Sequence, residues 1–472
     1  MPERLTAAEQ ATLTLDGART PAAVGTVAVF SSGPSGFDFD RLIDLIRDRI
    51  RYVPRYRQRI LSVPGRLAEP VWVDDGDFDL TFHVRRAAVP RPGNPQQLRE
   101  FAERVLSRRM DRSRPLWELY LVERLEHDQF ALVAKTHPSV VDGIDTVDLV
   151  QVLLEDAPST EIAPEESWHP LPAPTTIELV VGALNKSVQN PAGTVSNLQN
   201  ALTDAYGTAV SIGEAVGRGE PFGDLVADAL RGARTQPQTP LTGSVGDQRR
   251  IEVVPLELDD LRAIGTDHDQ DLHDVLLAVI TGGFRTWLMT RGEIVTADST
   301  LTALVPISVV EDDASGVTSL GSRVVGRLTT LPIGEPNASA RLQQLGRETQ
   351  PCKESGQPVS ARELAELAGF APPTLHALGT RSAAAPTSQP YDVLISNAPG
   401  PQAPVYLGVA ELSESYPVLP LTDGHLLAIG ITSYQGKIMI GLNADRDAFD
   451  DLEVLAQCIT DALEDLRPED DR

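Results

Sequence analysis

Cysteine, long apolar runs and positive charge are all in short supply in this 472-residue chain. Its two cysteines, Cys352 and Cys458, stand far apart, with no metal-type spacing and no neighbouring histidine. That pattern argues against a disulfide framework and a metal site, and it predicts packed thiols in a reducing compartment. No segment reaches the roughly 18 consecutive apolar residues of a membrane-spanning helix. The first eighteen residues mix acids, arginine and threonine and lack the apolar centre of a signal peptide, so a cytoplasmic protein is expected. Forty-one Lys and Arg against 67 Asp and Glu give a formal charge of −26. Nucleic acid and anionic lipid both reward clustered cations, so no nucleic-acid partner and no purely electrostatic membrane docking are expected.

What remains is an ordinary globular composition, 41% apolar and 23% charged, over a length that suits two or three domains. Residues 1–157 read as one α/β unit. Asp38 to Arg51 gathers Leu42, Ile43, Leu45, Ile46 and Ile50 on one helical face, Gln96 to Arg109 is a second helix, and Val71-Trp72-Val73 and His83-Val84 read as short strands. Residues 158–249 are a linker and helical crossover. Asp156 to Pro174 is rich in Pro, Glu, Ser and Thr, whereas Thr175 to Ala233 is rich in Ala, Val, Leu and Gly. The latter suits helices crossing between lobes, with a membrane-surface helix as the alternative. Residues 250–472 form a second α/β unit, with strands at Ile251 to Leu256, Thr302 to Val309 and Arg323 to Leu331. Its helices are expected near Leu272 to Leu288 and from Leu452 to Leu466, with loops at Glu311 to Thr318 and Ala383 to Ser388.

The stretch that organises the rest is Phe130 to Leu154, FALVAKTHPSVVDGIDTVDLVQVLL. An apolar strand ends at Thr136, His137 and Pro138. Asp142 and Gly143 follow, and Val147, Val150, Leu153 and Leu154 then recur at helical spacing. An imidazole and a carboxylate thus sit in a strand-to-helix connection, where polar groups can face a ligand.

Here the chain resembles the bacterial wax ester synthase/diacylglycerol acyltransferases, whose signature reads His-His-x-x-x-Asp-Gly where this chain has His137-Pro138-Ser139-Val140-Val141-Asp142-Gly143. The resemblance extends through Val53 to Pro90, the Pro115-Leu116-Trp117 element, Pro240 to Gly246, His273 to Leu288, Leu304 to Val309, Ile395 to Leu407 and Tyr416 to Arg446, in the family's order. It implies two lobes built like chloramphenicol acetyltransferase, joined by a linker and helical crossover, with a channel between them. It also implies acyl transfer from acyl-CoA, as co-substrate and without another cofactor, to diacylglycerol or a long-chain alcohol, with contact at a membrane or lipid droplet. In the wider superfamily the second His removes the acceptor's proton, the Asp holds the loop and the Gly permits its turn.

The second His is Pro138 here, which has neither a proton-accepting side-chain atom nor a backbone N–H. Pro138 also holds His137 extended, so the neighbouring imidazole should face away from the vacated place. The family's Asn-Asp pair appears as His273-Asp274, its Leu-Asn-Gly as Leu241-Thr242-Gly243, and its Gly-Asn as Gly321-Ser322. Pro115-Leu116-Trp117, Ser396-Asn397 and Pro399-Gly400-Pro401 keep the pattern. Catalytic candidates are therefore His137, Asp142, Gly143 and His273, the last a base delivered from the other lobe if both positions line one cavity. Pro138, Pro115, Leu116, Trp117, Asp274, Ser396 and Asn397 are expected along the channel. Three readings follow: an O-acyltransferase using His273 or His137, a silent paralogue that binds acyl-CoA or neutral lipid, and a subunit that supports an active paralogue.

Overall fold

The structure, a computed structural model, describes residues 2–33, 36–64, 68–141, 148–161, 168–179, 239–312, 318–355, 372–384 and 390–467. Asp142, Gly143, Val147 and nearly all of the Thr175 to Ala233 stretch lie outside these residues.

The first half of the chain supplies β1 (Val24–Ser31), β2 (Gln58–Leu61), β3 (Val71–Asp74), β4 (Val84–Ala88), β5 (Trp117–Glu123), β6 (Gln129–Thr136) and β7 (Leu154–Glu155). The second half supplies β8 (Thr242–Gly243), β9 (Arg249–Glu257), β10 (Leu301–Asp312), β11 (Thr318–Leu331), β12 (Val393–Ala398), β13 (Tyr406–Leu407), β14 (Ala410–Val418), β15 (Gly424–His425), β16 (Leu427–Tyr434) and β17 (Lys437–Asp445). Two main sheets result, one of seven strands in the order β4-β5-β6-β1-β14-β13-β7 and one of six in the order β11-β10-β12-β16-β17-β9. The expected two-lobed α/β architecture is therefore present.

Burial on both faces explains why β1 and β6 read as unbroken apolar runs. Ala28 and Phe30 face the Phe39–Arg49 helix through Leu42 and Ile46, while Val27 and Val29 face the Pro95–Leu106 helix through Leu98, Ala102 and Val105. Asp38 caps the first of these helices and Asn94 the second, in a capping box with Gln97. In the second lobe the Leu272–Thr290 helix, apolar almost all round, is buried between its sheet and the Leu452–Glu464 helix.

The lobes are not contiguous in sequence. β14 leaves the second half to pair antiparallel with β1, and β13 then pairs with β7. At its end Pro417 lies across the second sheet, where Gly430 and Gly441 are direct partners on β16 and β17. A Cβ at Gly441 would sit 2.0 Å from the Pro417 carbonyl oxygen and one at Gly430 would sit 2.7 Å from the Pro417 ring, so this crossing admits only glycine. The Ile251 N–H donates to Glu103 at 2.9 Å, and Arg99 pairs with Glu252 at 3.3 Å, both across the seam.

Four local expectations need correction. His83 ends a helical turn, Leu80–His83, because Asp79 caps Thr81; it does not begin a strand. The helix after the central loop is only Leu149–Leu153, capped by Asp148, and Leu154 has already turned into β7. Glu311 belongs to β10, and Ala383 to the Pro372–Ala384 helix, neither to a loop.

Candidate functional site

The central loop begins where β5 and β6 end together. Trp117 pairs with Thr136, and the His137 N–H donates to the Leu116 carbonyl at 3.0 Å, so Pro115-Leu116-Trp117 adjoins His137-Pro138 directly. Trp117 is fully buried. Its Nε1 donates to the Tyr56 carbonyl at 2.7 Å, and its ring stacks on His83 at 4.7 Å. Pro138–Val140 then forms a short 3-10 turn. Val140 packs into the first lobe's core and Val141 into the second's, which sets the loop on the seam.

His137 is almost wholly buried, and its own loop fixes its ring. The Ser139 N–H donates to Nδ1 at 3.1 Å, and the Ser139 hydroxyl lies 2.7 Å from the same atom. Burial, partly countered by Asp16 and reinforced by Arg112 and Arg109, pushes the imidazole down to about 4, so it is neutral near pH 7. A neutral ring whose Nδ1 accepts a backbone N–H carries its proton on Nε2, as assigned from this network. Nε2 has no hydrogen-bond partner among the described residues. His137 therefore offers a donor there, and its one lone pair is engaged.

Against the turn packs the Pro372–Ala384 helix, buried from Pro372 to Thr380. Its Arg381 donates to the Val141 carbonyl, and its His376 lies with Nδ1 3.0 Å from the Ser396 hydroxyl on β12. Burial pushes His376 down to about 3, against a smaller opposite pull from the Ile431 carbonyl. If Nδ1–H donates to Ser396, Nε2 keeps a lone pair, and it too has no partner among the described residues. Sequence reasoning passed over His376, because a lone histidine in an Ala- and Leu-rich helix carries no spacing signal.

His273 stands half-buried in the first turn of the Leu272–Thr290 helix, where Asp271 is the cap and not His273 itself. That helix packs chiefly on the Leu258–His268, Ala338–Ser355 and Leu452–Glu464 helices, and Asp274 accepts from the Thr349 hydroxyl at 2.7 Å. Its packing thus belongs to the second lobe, whereas His376 rides on the helix that meets the loop. Asn397 follows Ser396 on β12, half-buried.

Just past the loop, the buried Asp148 accepts from the Tyr56 hydroxyl and caps Val150 at 2.8 Å. Burial raises both groups, Asp148 above the usual carboxylate range and Tyr56 well above its own. A cavity of about 760 Å3 lies elsewhere, against β2, β3 and residues 171–179, with Arg4, Gln58, Trp72, Leu171, Ile177 and Leu179 in its wall. No metal-binding group of His, Cys, Asp and Glu occurs among the described residues, and none of their helices is long and apolar enough to cross a membrane.

Residues 5–276 match the wax ester synthase/diacylglycerol acyltransferase catalytic domain, and residues 320–467 match the C-terminal domain of the same proteins. The chain is 31% identical to the probable diacylglycerol O-acyltransferase tgs1 of Mycobacterium tuberculosis over 441 residues, covering 93% of this chain and 90% of the relative. It is 34% identical to the probable diacylglycerol O-acyltransferase tgs3 of the same species over 271 residues, 57% of this chain and 98% of that one. Its fold is similar to that of a wax ester synthase/diacylglycerol acyltransferase from Marinobacter aquaeolei VT8, with a TM-score of 0.65 and 25% identity over 98% of both chains. A condensation domain of the CDA synthetase shares the fold at a TM-score of 0.54 and 12% identity, covering 99% of this chain and 96% of that one.

Proposed function

The chain belongs to the wax ester synthase/diacylglycerol acyltransferase family, and from that premise we propose that it transfers an acyl group from acyl-CoA to the hydroxyl of a diacylglycerol or long-chain alcohol. One observation carries this reading beyond family membership. Although Pro138 replaces the usual base, neutral imidazoles still bracket the turn, His137 within it and His376 on the helix packed against it.

The two rings suit different halves of the chemistry. Acyl transfer to an alcohol needs a lone pair for the hydroxyl proton and a donor for the tetrahedral oxyanion. His376 has the lone pair when its Nδ1–H is the one given to Ser396, and the imidazolium formed would be offset by the oxyanion developing beside it. His137, with Nε2–H and no acceptor, has the donor. His273 is a third candidate base, which would have to reach the seam from the second lobe. Asp142 and Gly143 are proposed to shape the loop. Pro115, Leu116, Trp117, Pro138, Asp274, Ser396 and Asn397 are proposed to wall a channel along the seam. No cofactor is needed beyond acyl-CoA, and because the acceptors are insoluble in water the protein meets them at a membrane or lipid-droplet surface.

Radiolabelled palmitoyl-CoA offered with diacylglycerol or hexadecanol tests the activity. Labelled triacylglycerol or wax ester from the native protein supports it. Tight palmitoyl-CoA binding with no product, together with product from Pro138→His, would leave a silent binding paralogue.

A further inference from the structure

From the last turn of the Pro95–Leu106 helix toward β5 the sequence reads Arg-Val-Leu-Ser-Arg-Arg-Met-Asp-Arg-Ser-Arg, residues 104–114, five arginines and one acid in a chain of net charge −26. This segment is anchored beside the central loop. The buried Lys135 ammonium, two residues before His137, donates to the Val105 carbonyl at 3.1 Å and also to the Arg108 carbonyl. The charges of Arg112 and Arg109 reinforce burial in pushing the His137 imidazole down.

Local pairing does not use up the charge. Arg109 and Arg112 share one carboxylate, Asp16, at 3.2 and 2.8 Å. Arg114 sits over the Phe82 ring at 4.0 Å and pairs only loosely with Asp111, at 3.9 Å. Arg104 and Arg108 are exposed and have no ion pair among the described residues. Arg104 in the last turn of the Pro95–Leu106 helix and Arg108 just after it suit its negative end, but that effect reaches only the final turn and calls for one or two cations. Two acids against five arginines leave a surplus of three at one place on an otherwise acidic surface.

We infer that Arg104, Arg108, Arg109, Arg112 and Arg114 form the landing site for the phosphates of a coenzyme A nucleotide, on the rim of the seam beside His137. This rests on the acyl-CoA reading above. A substrate carrying a diphosphate and a further phosphate is repelled by a protein of charge −26, and a local cationic patch reverses the field where the substrate must dock. Guanidinium forks match phosphate oxygens two at a time, which a scatter of single charges does not. The flexible pantetheine arm then carries the thioester inward to the turn.

Free coenzyme A and 3′-dephospho-coenzyme A, titrated calorimetrically into the full chain at low and high salt, test this without requiring turnover. Arg104→Gln with Arg108→Gln breaks no ion pair among the described residues, so the fold should tolerate it; unchanged thermal unfolding checks that. Arg262→Gln, exposed on the second lobe's Leu258–His268 helix and paired with Asp259, is the control for loss of a single surface charge. The double variant is expected to bind coenzyme A about tenfold more weakly at low salt, with a smaller difference at high salt, a smaller loss for the dephospho form, and a matching rise in KM for palmitoyl-CoA. Coenzyme A affinity equal to native would overturn the inference, whatever the activity. So would unchanged coenzyme A affinity with lost flotation on phosphatidylserine vesicles, which would assign the patch to anionic lipid. Arginine-dependent binding with no product would keep the site and remove only the acyltransferase reading.

Discussion

The Ser139 N–H donates to Nδ1 of His137 at 3.1 Å, and that bond fixes on which nitrogen the imidazole keeps its proton. A ring held this way can donate at Nε2 and cannot accept there. In this tautomer His137 supplies no lone pair at Nε2 in place of the base missing at Pro138, whichever way the ring faces.

Pro138→His should therefore raise palmitoyl transfer. A positioned general base is worth about 10²–10⁴-fold, and the surrounding turn is already built. His137→Ala should lower stability, since it strips the buried Ser139 N–H and hydroxyl of their acceptor at a cost of about 1–3 kcal/mol. In the Pro138→His background it should lower kcat by about 10²–10³-fold, the cost of losing an oxyanion donor. A loss of less than tenfold there would remove His137 from the oxyanion role.

His376→Gln should remove native turnover by about 10² or more, and Pro138→His in the same chain should restore it by bringing the base back to the loop. Ser396→Ala should lower kcat with little change in palmitoyl-CoA affinity, because it frees the tautomer and touches no substrate charge. Native turnover surviving His376→Gln but lost in His273→Asn would move the base to His273 on the Leu272–Thr290 helix.

Acid should destabilise this fold early. His137 and His376 are held at about 4 and about 3 by burial, below the 6.5 of an exposed ring, so the unfolded chain binds more protons than the native one across that interval. Their stabilisation is complete above about pH 6.5 and is lost as pH falls toward 4; a displacement from 6.5 to about 4 corresponds to about 3 kcal/mol. Asp148, raised by burial, runs the other way, with its contribution lost as pH climbs through its folded value. Urea midpoints measured from pH 8 to pH 4 should fall, and His376→Gln should flatten the curve.

Tyr56→Phe removes the buried donor to Asp148 and should cost about 1.5–3 kcal/mol, the range for hydrogen bonds to charged groups. Because the hydroxyl favours the ionised carboxylate, the loss should be larger at pH 8 than at pH 4 in the same urea experiment. Equal losses at both would mean that Asp148 stays protonated throughout.

Much of the architecture was legible because its signals are local. The run from Phe130 to Thr136, the amphipathic face of Leu42, Ile43 and Ile46, and the turn residues around Pro138 each determine their own element, and all three appear where expected. His83 was misplaced because a cap spanning three residues, Asp79 to Thr81, overrode a β-rich context. The site was legible only as far as the motif ran. His376 lies on a helix, distant in sequence, that packs on the turn, and neither the tautomer of His137 nor the sharing of Asp16 by two arginines leaves any mark on spacing.

The strand that β14 contributes to the first sheet makes the halves obligate complements. Residues 1–249 expressed alone would present β1 as a naked apolar edge, its partners from Gly25 to Ser31 gone, which is an invitation to aggregation. Co-expression with residues 250–472 should restore solubility and a single unfolding transition, much as a missing strand supplied in trans completes an open sheet. Any opening of the seam to admit substrate must then bend around Pro417 and its two glycines, because the lobes cannot part there without unzipping a sheet.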